Sequence, residues 1–486
     1  MKKNARNIVY MIAAAGTVAA CGGGGTPPPP VSVPATATVT PPTPPVSSAC
    51  SLRSRQDWAA AQIREWYLFP ETLPATADPS GFTTVSAYID ALTATARGQG
   101  RDRFFTFITS IEQENAFFQT GSSAGLGIRL NYDIANGRVF VAEAFEGAPA
   151  LAAGIDRGTE ILAIGTSASN LSNVSVILGS QGAAGVSQAL GPNTPGTTRF
   201  LQIRNAAGTS TVSVAKAEFN IQPVSSRYGA TIINDGGKQI AYINMRTFIS
   251  TADAQLRSAF ANYRAQGITD FIIDFRYNGG GLVSTAELMT NLLGGARSNR
   301  DILSRTTFRV EKNNNDRTEF FTPQSQSVGA LKIAFIGTGS TASASELVMN
   351  SFTPYIGVNA ALVGSDTFGK PVGQIALDQA SCDDRLRVVA FSTQNSANRG
   401  FYYNGIASVM GTTCQASDDL TRPLGDPAEE SVARAIDFIQ GRSCTAISSA
   451  ASAKTQAKIS GGKRISSQML TPDAPTPAQR EVPGLF

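Results

Sequence analysis

The sequence of 486 residues predicts a mixed α/β fold that combines an α/β core, a separate β-rich domain and an N-terminal helical cap. From residue 220 to residue 444, short apolar runs such as Phe271 to Phe275 alternate with stretches of helical period, which is typical of an α/β core. Residues 122–219 instead carry alternating strand patterns separated by glycine turns. Residues 49–121 place apolar side chains at helical spacing up to Phe107 and therefore predict the helical cap.

The first 48 residues are expected to lie outside the folded part. Basic residues at positions 2, 3 and 6 precede an apolar run from Ile8 to Ala20, which is typical of a secretory signal. Small residues directly before Cys21 resemble a bacterial lipoprotein cleavage site, so residues 1–21 predict a signal peptide with Cys21 as the lipidation site. An ordinary signal peptide with a chance cysteine is the alternative. Residues 22–48 are rich in Gly, Pro and Thr and predict a disordered tether.

This N-terminal pattern also predicts a location for the protein. Acyl chains on Cys21, followed by a flexible tether, would hold the folded part close to a membrane surface. We therefore expect a periplasm-facing lipoprotein of a bacterial cell envelope. The sequence does not distinguish the inner from the outer membrane.

The other end of the chain has a similarly biased composition. Residues 445–486 are rich in Ala, Ser, Lys and Pro without a clear apolar period, and they predict a mostly disordered tail. The net charge of +4 comes from this tail and from the N-terminal residues, which leaves the central body slightly acidic. We therefore expect no nucleic-acid partner, because the folded part carries no basic surface for phosphates.

Four cysteines follow Cys21, and in an exported chain this even number favours two disulfides. Of the three possible pairings, we expect Cys382 with Cys414 and Cys50 with Cys444. A zinc site is the less favoured alternative, because the cysteines show no Cys-x-x-Cys spacing and the chain has no histidine. The sequence thus predicts neither a metal nor a cofactor.

The absence of histidine restricts how a serine could be activated. A serine hydroxyl becomes a good nucleophile only when a neighbouring base takes its proton, and the commonest base is missing here. A run from Thr341 to Leu347 contains Ser343, and a second run ends at Lys370. A lysine is then the available base. It can act only when neutral, so its pKa must fall from about 10.4 towards roughly 7 or 8 through burial.

The β-rich region resembles a PDZ domain. The resemblance lies in the run from Gly125 to Leu130, in two following strands, and in the segment Ala148 to Ile155 before the next glycine turn. It implies that the amides of Gly125, Leu126 and Gly127 bind the terminal carboxylate of a peptide, which then adds to the sheet edge as a strand. The segment from residue 168 to 198 is longer than this family leads us to expect. A small β domain without a ligand is the alternative.

Three ordered motifs resemble those of the C-terminal processing proteases, also called tail-specific proteases. They are the run from Asp274 to Gly281, the Ser343 run and the Lys370 run, and the resemblance covers roughly residues 55–440. It implies a crotonase/ClpP-like protease core in which Ser343 is the nucleophile, Lys370 the general base and Gln374 a residue that orients the lysine.

The resemblance also implies an oxyanion hole. The amide of Ala344 would lie at the positive end of the helix that Ser343 opens, and the amide of Gly280 or Gly281 would complete the hole. Ser345 is the alternative nucleophile, although its position beside Glu346 favours an N-terminal capping role.

The function expected from these motifs is that of a serine endopeptidase acting on polypeptides with flexible C-termini, which the PDZ-like domain would select. Two alternatives of other classes stay open. In the first, the protein is a non-catalytic peptide-binding scaffold of the envelope, with Ser343 only capping a helix and Lys370 in a solvated loop. The second is a crotonase-like acyl-transfer enzyme, which the PDZ-like insertion does not support.

Overall fold

The computed structural model describes residues 48–448 and 456–486. The predicted signal peptide, Cys21 and the tether up to residue 47 lie outside the described residues. Within these ranges, no helix combines the length and the apolar character needed to cross a membrane.

The helices and strands are as follows in chain order. The helices are α1 (Leu52–Trp66), α2 (Val85–Leu92), α3 (Ala94–Gly98), α4 (Ile111–Thr120), α5 (Pro149–Ala152), α6 (Val174–Leu190), α7 (Ala252–Ala265), α8 (Val283–Leu293), α9 (Ala344–Ile356), α10 (Glu430–Ile439) and α11 (Pro477–Glu481). The strands up to the core are β1 (Phe107–Ser110), β2 (Ser122–Gly125), β3 (Ile128–Asp133), β4 (Arg138–Ala144), β5 (Glu160–Gly165), β6 (Leu171–Asn173), β7 (Thr198–Asn205), β8 (Gly208–Ala215) and β9 (Ala217–Asn220). The remaining strands are β10 (Ala230–Asp235), β11 (Lys238–Asn244), β12 (Asp270–Asp274), β13 (Ile302–Phe308), β14 (Arg317–Phe320), β15 (Lys332–Gly337), β16 (Ala360–Gly364), β17 (Val372–Gln379), β18 (Asp384–Gln394), β19 (Thr412–Gln415), β20 (Asp418–Asp419), β21 (Gln456–Lys458), β22 (Arg464–Ser466) and β23 (Gln468–Met469).

A central sheet with the order β10-β11-β12-β15-β16-β19 forms the α/β core. In this sheet, β11, β12, β15, β16 and β19 run parallel to one another, and β10 joins as an antiparallel edge strand. Successive side chains of a strand point to opposite faces, so Phe271 and Ile273 pack with α7, α8 and α9, whereas Ile272 packs with α10. Both faces are therefore covered, which explains why these strands are apolar throughout.

A second sheet, with the order β1-β18-β13-β14 and with β17 paired to β18, carries the N-terminal cap. Helices α1 and α2 bury Ile63 and Ile89 against Val388 of β18. The predicted helical cap is thus not wholly helical, because Phe107 begins β1, which pairs with β18. Local periodicity could not predict this strand, because its partner β18 lies almost 280 residues away in the sequence.

The β-rich domain contains a sheet with the order β23-β3-β4-β5-β7-β8 and with β6 paired to β5. The long segment from residue 168 to 198 forms β6 and α6. Helix α6 packs Ile177, Leu178 and Val186 into the same apolar cluster as Ile128 of β3.

The expectation of a mostly disordered tail is wrong for the described part of it, since residues 456–486 form β21, β22, β23 and α11. Their apolar side chains are buried in clusters made by other parts of the chain. Ile465 packs with Phe140, and Val482 packs with Phe117. Composition alone misses such order, because isolated apolar residues fold here onto a preformed surface.

The expected disulfide pairing is also wrong. The structure pairs Cys50 with Cys382 and Cys414 with Cys444. The turn at Ser48–Cys50 lies against the turn at Ala380–Cys382, which places the first pair of Cα atoms 5.4 Å apart. Cys414 lies on β19, beside the chain that leaves α10, so Cys444 is its neighbour.

Candidate active site

The three sequence motifs meet at one edge of the central sheet. The glycine run begins after β12, the Ser343 run after β15 and the Lys370 run after β16, and these three strands are adjacent and parallel. Parallel neighbours end at the same edge, where open α/β sheets place their ligands. The topology therefore brings together residues that are almost 100 positions apart in sequence.

Ser343 occupies a strained turn between β15 and α9. Its φ of 55° lies in the left-handed region that residues other than glycine rarely adopt. The residue is half-buried, and Ala344 begins α9 directly after it. The amide of Ala344 is one of the N-terminal amides that no carbonyl of the same helix can reach, and it lies at the positive end of the helix dipole.

A buried carboxylate joins the serine turn to the lysine loop. Glu346 is fully buried and accepts hydrogen bonds from the amides of Ser343 and Lys370, each at 2.8 Å. It also accepts from the Gly369 amide at 2.7 Å and from the Thr367 hydroxyl. Burial raises the pKa of Glu346, and these four donors oppose that shift.

Sequence reasoning missed this role of Glu346. The available signal was the Ser-x-x-Glu spacing of Ser343 and Glu346, which is the pattern of a capping box. In the structure, the glutamate side chain does accept from the amide of Ser343, as in that motif.

Lys370 is half-buried, and its ammonium group has a defined partner. Its Nζ donates to Oε1 of Gln374 at 2.9 Å, and the Gln374 amide group donates in turn to the carbonyl of Phe105. The same Nζ lies 4.8 Å from the centre of the Phe105 ring. Burial lowers the pKa of Lys370, and the carboxylate of Glu481 is the strongest influence in the opposite direction.

The glycine run lies directly against the serine. A Cβ atom on Gly280 would be 2.8 Å from Cβ of Ser343 and 3.3 Å from its Oγ, so a side chain there would displace the serine. The Gly280 amide donates to Oδ1 of Asn278 at 3.0 Å. Gly281 packs instead against the Phe248 carbonyl, 2.2 Å from where its Cβ would stand. The Gly279 amide donates to the carbonyl of Glu481 at 3.1 Å.

Ser345 has a structural role that differs from the expected cap. It lies inside α9, is fully buried, and donates its hydroxyl to the carbonyl of Asn278 at 3.2 Å. Ser343, not Ser345, is the residue that precedes the helix. Ser345 thus fastens α9 to the glycine run.

Buried charged side chains fix the N-terminal end of the glycine run in place. Arg276 is bound by both carboxylate oxygens of Glu429 at 2.9 Å and also contacts Asp274 and Asp418. The next residue, Tyr277, has a φ of 64° and donates its hydroxyl to Asp418. Removing one partner from such a buried set typically costs about 3–5 kcal/mol, so the network fixes the loop firmly.

A cavity of about 820 Å³ opens at this edge of the sheet. Lys370, Gly279 and Ala342 line it from the core, Phe105 from the cap, and Glu481 from the tail. Within residues 48–448 and 456–486, no group of three acidic or cysteine side chains is arranged to hold a metal ion.

The predicted peptide-binding loop contacts the last residue of the sequence. The amides of Gly127 and Ile128 both donate to the oxygen of Phe486, at 2.7 and 3.2 Å. A Cβ on Gly125 would stand 2.7 Å from the Phe486 carbonyl carbon, so only glycine permits this approach. Leu126 points into the apolar cluster of the domain. Ile128 is therefore a contact that the sequence did not single out.

The chain is similar in sequence to known proteases. Residues 239–408 match the model of peptidase family S41. The chain is 27% identical over 278 residues to a chloroplastic C-terminal processing peptidase of Tetradesmus obliquus, covering 53% of each chain. It is 26% identical over 275 residues to the carboxy-terminal processing protease CtpA of Bacillus subtilis, covering 57% of this chain and 53% of that one. The chain thus spans about half the length of these curated relatives.

A solved structure shows the same fold over a larger part of the chain. The crystal structure of a candidate S41 protease from Bacteroides fragilis superposes with a TM-score of 0.60 and 21% identity, covering 79% of this chain and 97% of that one. The mixed α/β fold of the S41 proteases is therefore shared.

Replacing Glu346 with Gln is expected to destabilise the protein by about 2–4 kcal/mol, because an amide offers one acceptor oxygen where the carboxylate now serves four donors. The free energy of unfolding from urea titration measures this. Glu112→Gln, at an exposed position in the first turn of α4, is the matched control and should change stability by less than about 0.5 kcal/mol. Equal stability of both variants would contradict the role given to Glu346.

Proposed function

Because residues 239–408 are a peptidase family S41 domain, we propose that this protein is a serine endopeptidase that cleaves unstructured polypeptides with a Ser343–Lys370 dyad. One observation carries the proposal most directly. The carboxylate of Glu346 binds the backbone of both dyad residues, which fixes the serine turn and the lysine loop to each other beside a cavity. The names of the relatives, which are C-terminal processing peptidases, support the same reaction.

The first half of the reaction forms an acyl-enzyme. Neutral Lys370 takes the proton of the Ser343 hydroxyl as Oγ attacks the carbonyl carbon of the scissile peptide bond. The carbonyl oxygen becomes an oxyanion, which the Ala344 amide can stabilise at the positive end of α9. When the C–N bond breaks, the protonated lysine gives its proton to the leaving amine, and an ester on Ser343 results.

The second half of the reaction releases the product. Lys370, neutral again, takes a proton from a water molecule that attacks the ester carbonyl, and the proton returns to Oγ of Ser343. Gln374 holds Nζ in place through both halves. The second oxyanion donor would come from the glycine run, where Gly280 touches Ser343. For Gly280 to serve, its amide must exchange its present bond to Asn278 for one to the oxyanion.

The β-rich domain would select substrates by their C-termini, as a PDZ-like domain does. The amides of Gly127 and Ile128 converge on one oxygen, and the β3 edge beside them pairs with residues 484–486 as it would pair with the end of a bound polypeptide. The cap would restrict access to flexible chains. Its Arg103 donates to the carbonyls of Phe368 and Gly369, so the cap also supports the lysine loop.

We further propose that the protein is a lipoprotein attached to the bacterial envelope through Cys21 and facing the periplasm. The signal-like N-terminus and its cysteine support this location. The two disulfides fit an oxidising compartment.

The dyad can be tested by cleavage of an unfolded polypeptide with an apolar C-terminus. Ser343→Ala and Lys370→Met should each lower kcat/KM by at least about 1,000-fold, because each removes a group that the chemical step requires. Ser345→Ala and Lys332→Met are the matched controls, since the Ser345 hydroxyl donates to the Asn278 carbonyl and Lys332 lies on β15 beside Ile439. The controls should stay within about tenfold of the wild type. If Ser343→Ala cleaves like the wild type, the nucleophile is misassigned; if the wild type binds the polypeptide without cutting it, the scaffold alternative is correct.

The pH dependence should report the ionisation of Lys370. Only its neutral form accepts a proton, so kcat/KM should rise with pH through the pKa of Lys370, which burial places below the ordinary value of 10.5, and then level off. Glu481→Gln should move the midpoint to lower pH, because the Glu481 carboxylate favours the ammonium form more than any other group does. Measurement of kcat/KM between about pH 6 and pH 10 decides this. A kcat/KM that falls as pH rises through this range, or a Glu481→Gln profile identical to that of the wild type, would contradict this role of Lys370.

A further inference from the structure

One segment of the chain lies both in the peptide-binding loop and at the cavity of the dyad. This tail segment, residues 476–486, comprises Thr476, which caps α11, then α11 itself and the five residues that follow it. Its Glu481 carbonyl accepts the amide of Gly279, next to Gly280, which lies against Ser343.

At the domain end, the tail segment is bound as an added strand. The Phe486 amide donates to the Ile128 carbonyl at 2.9 Å, and the Leu130 amide donates to the Gly484 carbonyl at 2.7 Å. Leu485 forms an antiparallel bridge with Arg129, whose guanidinium donates to the Pro483 carbonyl at 3.0 Å. Together with the two amides on the Phe486 oxygen, these bonds occupy the edge of β3.

At the other end, the tail segment lines the cavity. The carbonyl of Glu481 accepts the Gly279 amide, and the guanidinium of Arg480 lies 3.7 Å from the centre of the Phe107 ring in the cap. The Glu481 carboxylate acts on Lys370 across the cavity that both residues line. A substrate backbone cannot use the Gly279 amide while Glu481 holds it.

Apolar burial holds the middle of the tail segment. Val482 and Leu485 are buried in a cluster with Phe117 and Phe145, and Phe486 joins the cluster of the β-rich domain. Burying apolar side chains of this size stabilises the contact. The tail segment is therefore packed firmly against the rest of the protein.

We propose that the tail segment is an intramolecular inhibitor that occupies the peptide groove and covers the dyad until the end of a substrate polypeptide displaces it. The proposal rests on the proposed function. A tethered ligand acts at an effective concentration in the millimolar range, so a free peptide of the same sequence competes poorly with it. Displacement also removes the Glu481 carboxylate from Lys370, which leaves Asp102, Arg387 and Glu346 as the charged groups that act on the lysine.

Two substitutions release the tail segment by different means. Phe486→Asp places a charge in an apolar cluster. Gly484→Val puts a Cβ about 2.9 Å from the Leu130 carbonyl at a φ of 82°, where a β-branched residue is strained. Phe320→Asp is the matched control, because Phe320 is 42% exposed on the edge strand β14.

The first experiment measures binding and needs no catalysis. A fluorescent peptide with the sequence of residues 477–486 is titrated into Ser343→Ala protein, alone and combined with Phe486→Asp, Gly484→Val or Phe320→Asp. Both release variants should bind at least about tenfold more tightly than the Phe320→Asp protein and the parent. Equal affinity in all four proteins would overturn the proposal. Thermal unfolding checks that each variant is folded.

The second experiment measures hydrolysis of an unfolded polypeptide at low concentration. Each release variant should have a kcat/KM at least about tenfold above the wild type, whereas Phe320→Asp should match it. If the release variants have the same kcat/KM as the wild type, the proposal that the tail segment is an inhibitor is wrong. If no variant shows hydrolysis that depends on Ser343, the proposed function fails, and the binding result still decides whether the groove is self-occupied. Loss of the last residues from the wild type, but not from Ser343→Ala, would show the segment to be a substrate and would also overturn the proposal.

Discussion

The carboxylate of Glu346 is the interaction on which the candidate site depends. The serine turn and the lysine loop belong to different crossovers of the sheet, and a backbone hydrogen bond from the Phe368 amide to the Thr341 carbonyl, at 2.9 Å, joins them directly. Four donors, from Ser343, Thr367, Gly369 and Lys370, converge on this one buried side chain. A buried carboxylate without partners would be very unfavourable, so the loop and the turn are held where the donors can reach it. Glu346 therefore fixes the relative position of nucleophile and base together with this backbone bond and with Arg103 of the cap.

The rest of the site follows from the sheet and from a second set of buried charges. The loops that follow the parallel strands β12, β15 and β16 lie at the same edge of the central sheet. Arg276, enclosed by Asp274, Asp418 and Glu429, fixes the start of the glycine run. The glycines then allow the backbone to approach Ser343 and the tail segment more closely than any side chain would permit. Tight packing around a strained turn is the arrangement expected of a preorganised site.

Much of this could be predicted from local pattern. The apolar runs and the intervening helical periods predict the α/β core, and the resemblance to the C-terminal processing proteases is what singles out Ser343, Lys370 and Gln374. Features that depend on distant partners could not be predicted. The pairing of Cys50 with Cys382 depends on two turns that only the folded chain brings together. The strand at Phe107 needs β18, and Glu346 was visible only as a capping pattern, without its bonds to the lysine loop.

The tail is the clearest case in which the sequence composition does not predict the structure. Its composition predicts disorder, yet its order is supplied by grooves that other segments create, as for Phe486 in the β-rich domain. A segment whose order depends on contacts with other parts of the chain is released when another ligand takes those contacts, as the proposed inhibition requires. The tail is thereby suited to exchange with a substrate of similar chemistry.

The central claim is that Lys370 activates Ser343 as a nucleophile. It is tested most directly by treating the Phe486→Asp variant with a fluorophosphonate, which forms a covalent adduct with activated serines, and by locating the adduct by peptide mass spectrometry. The account predicts one adduct, on Ser343, which is lost when Lys370→Met is added and retained when Lys332→Met is added. An adduct absent from Ser343, or formed at the same rate without Lys370, would contradict it.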